Sequence, residues 1–167
     1  MFKVKQYKKG IYSPINRKKY LGTDNPVYRS SYELYFFRWC DNNPRVLEWT
    51  SESVVIPYKS PLDEKFHKYY VDNSIVYQIN DKVVKKFLIE LKPYKQTIAP
   101  IKNKNKKDST FITEATTFAK NQAKWAAAKK WCEGKGFDFL ILTEKQLFPN
   151  GKKWYEKCKK VKNFEKK

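Results

Sequence analysis

The run Phe87-Leu88-Ile89-Glu90-Leu91-Lys92-Pro93 constrains this chain more than any other stretch, because it reads as a buried strand that carries two charged groups. Alternate residues of a strand share a face. Leu88, Glu90 and Lys92 therefore point one way, and Phe87, Ile89 and Leu91 the other. A charged group in a core costs free energy unless it is paired or set against a cation. Any fold that accepts this strand must bring partners to Glu90 and Lys92.

The preceding sequence offers one. Residues Gln78 to Lys86 suit a hairpin with Asn80-Asp81-Lys82 as a three-residue loop, since Asn and Asp tolerate the left-handed backbone such loops require. Ile79 then pairs with Val83, and counting outward sets Asp72 opposite Glu90 and Tyr70 opposite Lys92, all on one face. Directly opposed Cβ atoms lie about 4.5–5.5 Å apart. Two carboxylates at that separation repel unless a cation sits between them, and oxygen-only ligands select a hard ion, Mg²⁺ with Mn²⁺ able to substitute. A register change of one residue would put Asp72 and Glu90 on opposite faces. An ion held there lowers the pKa of a bound water and polarises a phosphate oxygen, while Lys92 orients the water or neutralises developing charge. Phosphodiester hydrolysis is the chemistry these parts suit.

The charge balance points to the same substrate. Lys and Arg number 36 against 17 Asp and Glu, a formal charge of +19, far beyond what solubility asks of one small domain. A polyanionic partner follows, double-stranded DNA foremost. The excess is concentrated in a basic N-terminal arm, residues 1–27, in the loop Ile101-Lys102-Asn103-Lys104-Asn105-Lys106-Lys107, and in a basic C-terminal tail, residues 149–167. Cys40, Cys132 and Cys158 are an odd set with no Cys-x-x-Cys spacing, so neither a disulfide framework nor a zinc site follows, and a reducing cytoplasm is the expectation. His67 is the one histidine, too little for a His-based triad or zinc site. No apolar run reaches the length of a membrane span, so no membrane association is expected.

Between the arm and the tail the order of elements is that of an α/β domain over residues 28–148. Ser30 or Ser31 caps a helix that carries Glu33 in its first turn and Leu34, Phe37 and Trp39 among its apolar residues, ending before Pro44. One or two strands are expected over Val46–Tyr58, one over Phe66–Ile79 and one over Lys82–Leu91. Thr113–Glu133 is a long helix with Ala115, Phe118, Ala119, Trp125, Ala126 and Cys132 on a broad apolar face, Gln122 and Lys129 inside that arc, and Gly134 at its stop. Phe137–Leu142 is almost wholly apolar, the pattern of a central strand buried on both faces. A short helix from Thr143 closes the domain. Helix, three strands, helix and strand argue for a mixed sheet.

At this point the residues resemble something specific. Asp72 with Glu90-Leu91-Lys92, in this order of elements, is similar to the PD-(D/E)xK nuclease superfamily, whose core is an αβββαβ restriction-endonuclease-like sandwich with a mixed central sheet. A longer resemblance runs from about Tyr28 to Phe148. It includes Arg29-Ser30-Ser31-Tyr32-Glu33, Asn43-Pro44-Arg45-Val46-Leu47-Glu48-Trp49, Ile56-Pro57-Tyr58-Lys59-Ser60-Pro61 and His67-Lys68-Tyr69-Tyr70. Ile89-Glu90-Leu91-Lys92-Pro93, Phe111-Ile112-Thr113-Glu114, Ala123-Lys124-Trp125 and Phe139-Leu140-Ile141-Leu142-Thr143-Glu144 continue it. Together these resemble the head completion nucleases of T-even-type tailed phages, related in fold to the transposon TnsA endonuclease. The resemblance implies a Mg²⁺-dependent DNA endonuclease acting in phage head completion after packaging. It implies Asp72 and Glu90 as metal ligands, Glu33 as the matching acid of the first helix, and Lys92 serving the attacking water. The phage portal or other head completion proteins would be partners, and the host cytoplasm during assembly, then the virion head or neck, the location. Val71 stands where the pattern has Pro, and Asn73 where it has an apolar residue.

Several assignments stay open on the sequence. Glu33 is either a third carboxylate that reaches the metal through water or an acid favoured by the helix dipole. Gln122 either faces the site, as a helix Gln does in several members of the superfamily, or is a hydrogen-bonded boundary residue. His67 either contacts phosphate or supports Tyr69. Trp39, Trp49, Trp125 and Trp131 lie in core-like patterns and suit packing more than base stacking. The competing function is a basic, non-catalytic DNA-binding structural protein of the virion head or neck. An RNA-associated protein is a third reading, disfavoured by the Glu-x-Lys strand and the aromatic core.

Overall fold

The computed structural model describes residues 9–148; the C-terminal tail from 149 lies outside the described residues. Helix α1 (Ser31–Asn42) begins at Ser30, whose hydroxyl accepts the Glu33 N–H at 3.2 Å, and stops at Asn43, just before Pro44. The strands are β1 (Gly10–Ile11), β2 (Val27–Tyr28), β3 (Val46–Ser51), β4 (Val55–Lys59), β5 (Phe66–Tyr70), β6 (Asn73–Asn80), β7 (Val83–Leu91) and β8 (Phe137–Leu142). Helix α2 (Asp108–Glu133) connects β7 to β8, and α3 (Glu144–Leu147) follows. The central sheet has the order β3-β6-β7-β8, antiparallel except for the β7–β8 pair, so it is the expected mixed sheet.

Strand β7 divides its side chains as its sequence demands. Ile89 and Leu91, with Phe87 at the margin, enter a core with Phe36, Phe37 and Cys40 of α1 and Trp49 of β3. Leu88 enters a second core with Ile56, Tyr58 and Tyr69 of the β4–β5 hairpin and Ala128 and Cys132 of α2. The sheet is thus covered on both sides, and each wholly buried apolar side chain contributes about 1.5–3 kcal/mol.

Four local expectations are corrected. Phe66–Ile79 is two strands in two sheets: the chain leaves the β4–β5 hairpin after Tyr70 and joins the central sheet at Asn73. Tyr70 accordingly pairs with Val55, and not opposite Lys92. The hairpin loop is shorter than three residues. Asn80 pairs with Val83, and its side-chain oxygen accepts the Lys82 and Val83 N–H groups, each at 3.0 Å. A register shift at Ile79 restores the expected pairing beyond Gln78–Val84. Strand β8 is an edge strand with Asp138 and Leu140 exposed, because α2 returns it to the outside of β7. Helix α2 starts at Asp108, and its buried stripe is Asn121, Trp125, Ala128 and Cys132; Gln122, Ala126 and Lys129 are exposed.

Residues 9–28 lie over the domain. Tyr20 forms a parallel bridge to Trp49, so this segment extends the sheet beyond β3, and the two rings are 4.5 Å apart. The segment is held by the buried carboxylate of Asp41 at the end of α1. It accepts the Tyr12 hydroxyl at 2.7 Å, the Ile15 N–H at 2.7 Å and the Asn16 N–H at 2.8 Å. Removing a buried acceptor strands its donors. Asp41→Ala is expected to cost about 2–5 kcal/mol of unfolding free energy, read as a lower urea midpoint by tryptophan fluorescence.

Candidate active site

The site forms where the chain crosses from the β4–β5 hairpin into the central sheet. Three successive residues are pinned at that crossing by the end of β3 and the β3–β4 connection. The Val71 N–H donates to the Val54 carbonyl at 3.0 Å, the Asp72 carbonyl accepts the Glu52 N–H at 3.1 Å, and the Asn73 side-chain amide donates to the Thr50 carbonyl at 3.1 Å. Valine at 71 therefore has a purpose that Pro would defeat, since Pro has no N–H to donate. Asn73 is buried, with its amide N–H bonded to the Thr50 carbonyl and its Oδ1 without a hydrogen-bond partner.

The register of β6 against β7 runs Ile75–Phe87, Ser74–Leu88 and ends at Asn73–Ile89, which leaves Asp72 just before β6 and beside the end of β7. Asp72 Oδ2 accepts the Leu91 N–H at 2.7 Å, which fixes the carboxylate over the end of β7. Glu90 is buried and has both oxygens bonded: Oε2 accepts the Tyr69 hydroxyl at 2.6 Å, and Oε1 lies 2.9 Å from Lys92 Nζ. Lys92 Nζ is also 3.9 Å from Asp72 Oδ2. The two acids and the lysine thus share one small volume.

Burial and, next, the charge of Glu90 raise the Asp72 carboxyl to about 7, against the pull of Lys92 and the Leu91 N–H. Burial alone would lower Lys92, but the charges of Asp72 and Glu90 and the bond to Glu90 outweigh it, so the ammonium is held more firmly. Burial, then the charge and hydrogen bond of Glu90, push the Tyr69 phenol far above its ordinary value, so it stays a donor. From α2, the Lys124 ammonium lies 5.4 Å from the centre of the Tyr69 ring and 5.7 Å from that of Tyr58. Burial lowers its pKa, while Glu90 acts in the opposite sense.

Of the expected residues, Asp72, Glu90 and Lys92 come together. Glu33 lines the same small cavity as Asp72, and its charge contributes to the rise at Asp72. Its oxygens are engaged by the helix cap, Oε2 with the Arg29 N–H at 2.7 Å and Oε1 with the Ser30 hydroxyl at 3.0 Å. Gln122 is not brought in: it is exposed, about 100° round the helix from Asn121 on the flank away from Lys124. His67 pairs with Asp63 at 2.8 Å. Sequence reasoning passed over Tyr69, Lys124, Arg29 and Glu52. Tyr69 and Lys124 lie in segments singled out above, yet their roles depend on how the hairpin and α2 fold over Glu90.

The donor set suits a hard ion in type, since it is oxygen only and already converges on one cation, the Lys92 ammonium. Among the described residues no group of three or more His, Cys, Asp and Glu is placed to hold a metal directly. Asp72 and Glu90 would be the direct ligands, with Glu33 reaching the ion through water.

The chain belongs to the TnsA-like endonuclease family: the model of the TnsA-like endonuclease N-terminal region matches residues 43–144. That span holds Asp72, Glu90 and Lys92. The chain is similar to the head completion nuclease of Enterobacteria phage T4, with 37% identity over 142 residues that cover 83% of this chain and 92% of that protein. No solved structure matches.

The raised Asp72 pKa has a stability consequence with a definite sign. Its folded value of about 7 exceeds an unfolded value of about 3.9, so the proton stabilises the fold below the unfolded value and that contribution is lost as pH rises through the folded one. In metal-free buffer, Asp72→Asn is expected to stabilise the protein by about 1–3 kcal/mol at alkaline pH and to leave it little changed at acid pH, as read by thermal melts at both.

Proposed function

We propose that this protein is a divalent-metal-dependent DNA endonuclease that acts during phage head completion, after DNA has been packaged. The observation that carries this is the convergence of Asp72, Glu90 and Lys92 at the β5–β6 crossing. The head completion role rests on the similarity to the T4 protein. The formal charge of +19 suits duplex DNA as substrate. Other head completion proteins or the portal would be its partners, and the assembling particle in the host its place of action.

Bound Mg²⁺ or Mn²⁺ would supply Lewis acidity and an activated water. The chain's own groups do the positioning. Leu91 N–H aims one Asp72 oxygen, and Tyr69 holds one Glu90 oxygen, so neither carboxylate rotates freely. Lys92, 2.9 Å from Glu90 and 3.9 Å from Asp72, would orient the attacking water and neutralise charge developing on the phosphate. Lys124, poised over Tyr69, adds a second positive group within the electrostatic reach of Glu90 and Asp72.

A non-catalytic DNA-binding role has one observation in its favour, that both Glu90 oxygens already have partners. The assay that separates the two is cleavage of duplex DNA with and without Mg²⁺ or Mn²⁺. Asp72→Ala, Glu90→Ala and Lys92→Ala are each expected to lose at least about 100-fold in rate while still binding DNA in EDTA. Tyr69→Phe is expected to lose about tenfold. Cleavage by the three alanine variants at the parent rate would refute the assignment, and metal-independent binding without any product would favour the structural role.

A further inference from the structure

Beside the acidic pair lies a small cavity of about 140 Å³ lined by Arg29, Glu33, Ser51, Glu52 and Asp72. That is the space of about five water molecules, enough for one phosphate group. Three of its walls are acids and one is a cation. A DNA phosphate approaching Asp72 from this side meets repulsion unless Arg29 receives it.

Arg29 is engaged elsewhere: its Nη1 lies 2.6 Å from Glu52 Oε1. The bond to Glu52 leads the upward shift of the guanidinium, and the charges of Glu33 and Asp72 add to it. The pair contributes little to folding, because both side chains are half exposed, 52% and 41%. Yet Glu52 is set with care. It has a left-handed backbone, φ 50°, uncommon for a residue with a side chain, and its N–H holds the Asp72 carbonyl. The turn that shapes the Asp72 crossing also delivers a carboxylate onto Arg29. A carboxylate is the protein's own match for the oxygens of a phosphate, and the guanidinium fork suits either.

We propose that Arg29 is a clamp for a phosphate of the DNA strand next to the bond that is cut, and that Glu52 is its internal stand-in, displaced when DNA binds. The inference rests on the nuclease reading above. Glu52 then lowers DNA affinity by competing for Arg29, and the site exchanges one anion for another without leaving the guanidinium bare.

Binding of fluorescein-labelled duplex DNA in EDTA, followed by anisotropy, tests it. Glu52→Gln is expected to bind about two- to fivefold tighter, and Arg29→Ala about tenfold weaker with a salt slope smaller by about one. The double variant is expected to match Arg29→Ala alone. Glu52→Gly, suited to the left-handed backbone, repeats the test should the Gln variant fold poorly. Tightening that persists in the Arg29→Ala background would reduce the effect to general charge and overturn the clamp. Melting temperatures that fall in both single variants with unchanged DNA affinity would also overturn it, leaving a plain structural tie. Parent protein that does not bind duplex DNA at all would defeat the nuclease reading, and the clamp with it.

Discussion

The Lys92 ammonium, 2.9 Å from Glu90 and 3.9 Å from Asp72, is what lets a buried sheet end in two acids. Without it the cores on either side of β7 would close around two uncompensated charges, a cost of several kcal/mol each. One ammonium faces two carboxyls, and burial first, then the charge of Glu90, raises the Asp72 carboxyl. A divalent ion is the kind of ligand that such a deficit attracts. The same imbalance that weakens the metal-free fold would therefore favour loading.

Around this centre the fold supplies rigidity in layers. The end of β3 and the β3–β4 connection pin three consecutive residues at the Asp72 crossing, Tyr69 locks Glu90 from the β4–β5 hairpin, and α2 brings Lys124 over Tyr69. At the other end of α1, Asp41 fastens residues 9–28 through three donors. Two buried acids thus do opposite work. Asp41 is saturated by neutral hydrogen bonds and holds chain to chain, whereas Glu90 is saturated by one phenol and one ammonium and holds charge in place.

Much of this was legible in the residues. The alternation of β7, the mixed sheet and the register of β6 against β7 from Gln78–Val84 to Asn73–Ile89 follow from side-chain periodicity and turn chemistry, which are local properties. The register survived a wrong loop length because the bulge at Ile79 offsets the shorter turn. Position in the sheet was less legible. The apolar run of β8 reads as central, but α2 carries it to an edge, and only the crossover decides that. The helix face was harder still. Helical patterning put Gln122 in the apolar arc, whereas the stripe that docks is set by which turn of α2 meets β4 and β8, and it leaves Lys124 within the electrostatic reach of the acids. Tyr69 and Arg29 belong to segments whose local pattern says nothing of their neighbours across the sheet.

The chain crossing between β5 and β6 has a further consequence, for the order in which the protein folds. Strands β6 and β7 are joined by a tight turn, so Asp72, Glu90 and Lys92 meet through short-range closure. The parallel β7–β8 pairing must wait for the whole of α2 to form and cross over. The acids and the lysine are thus joined through contacts near in sequence, whereas the helix that covers Leu88 beside them belongs to a later and longer loop closure.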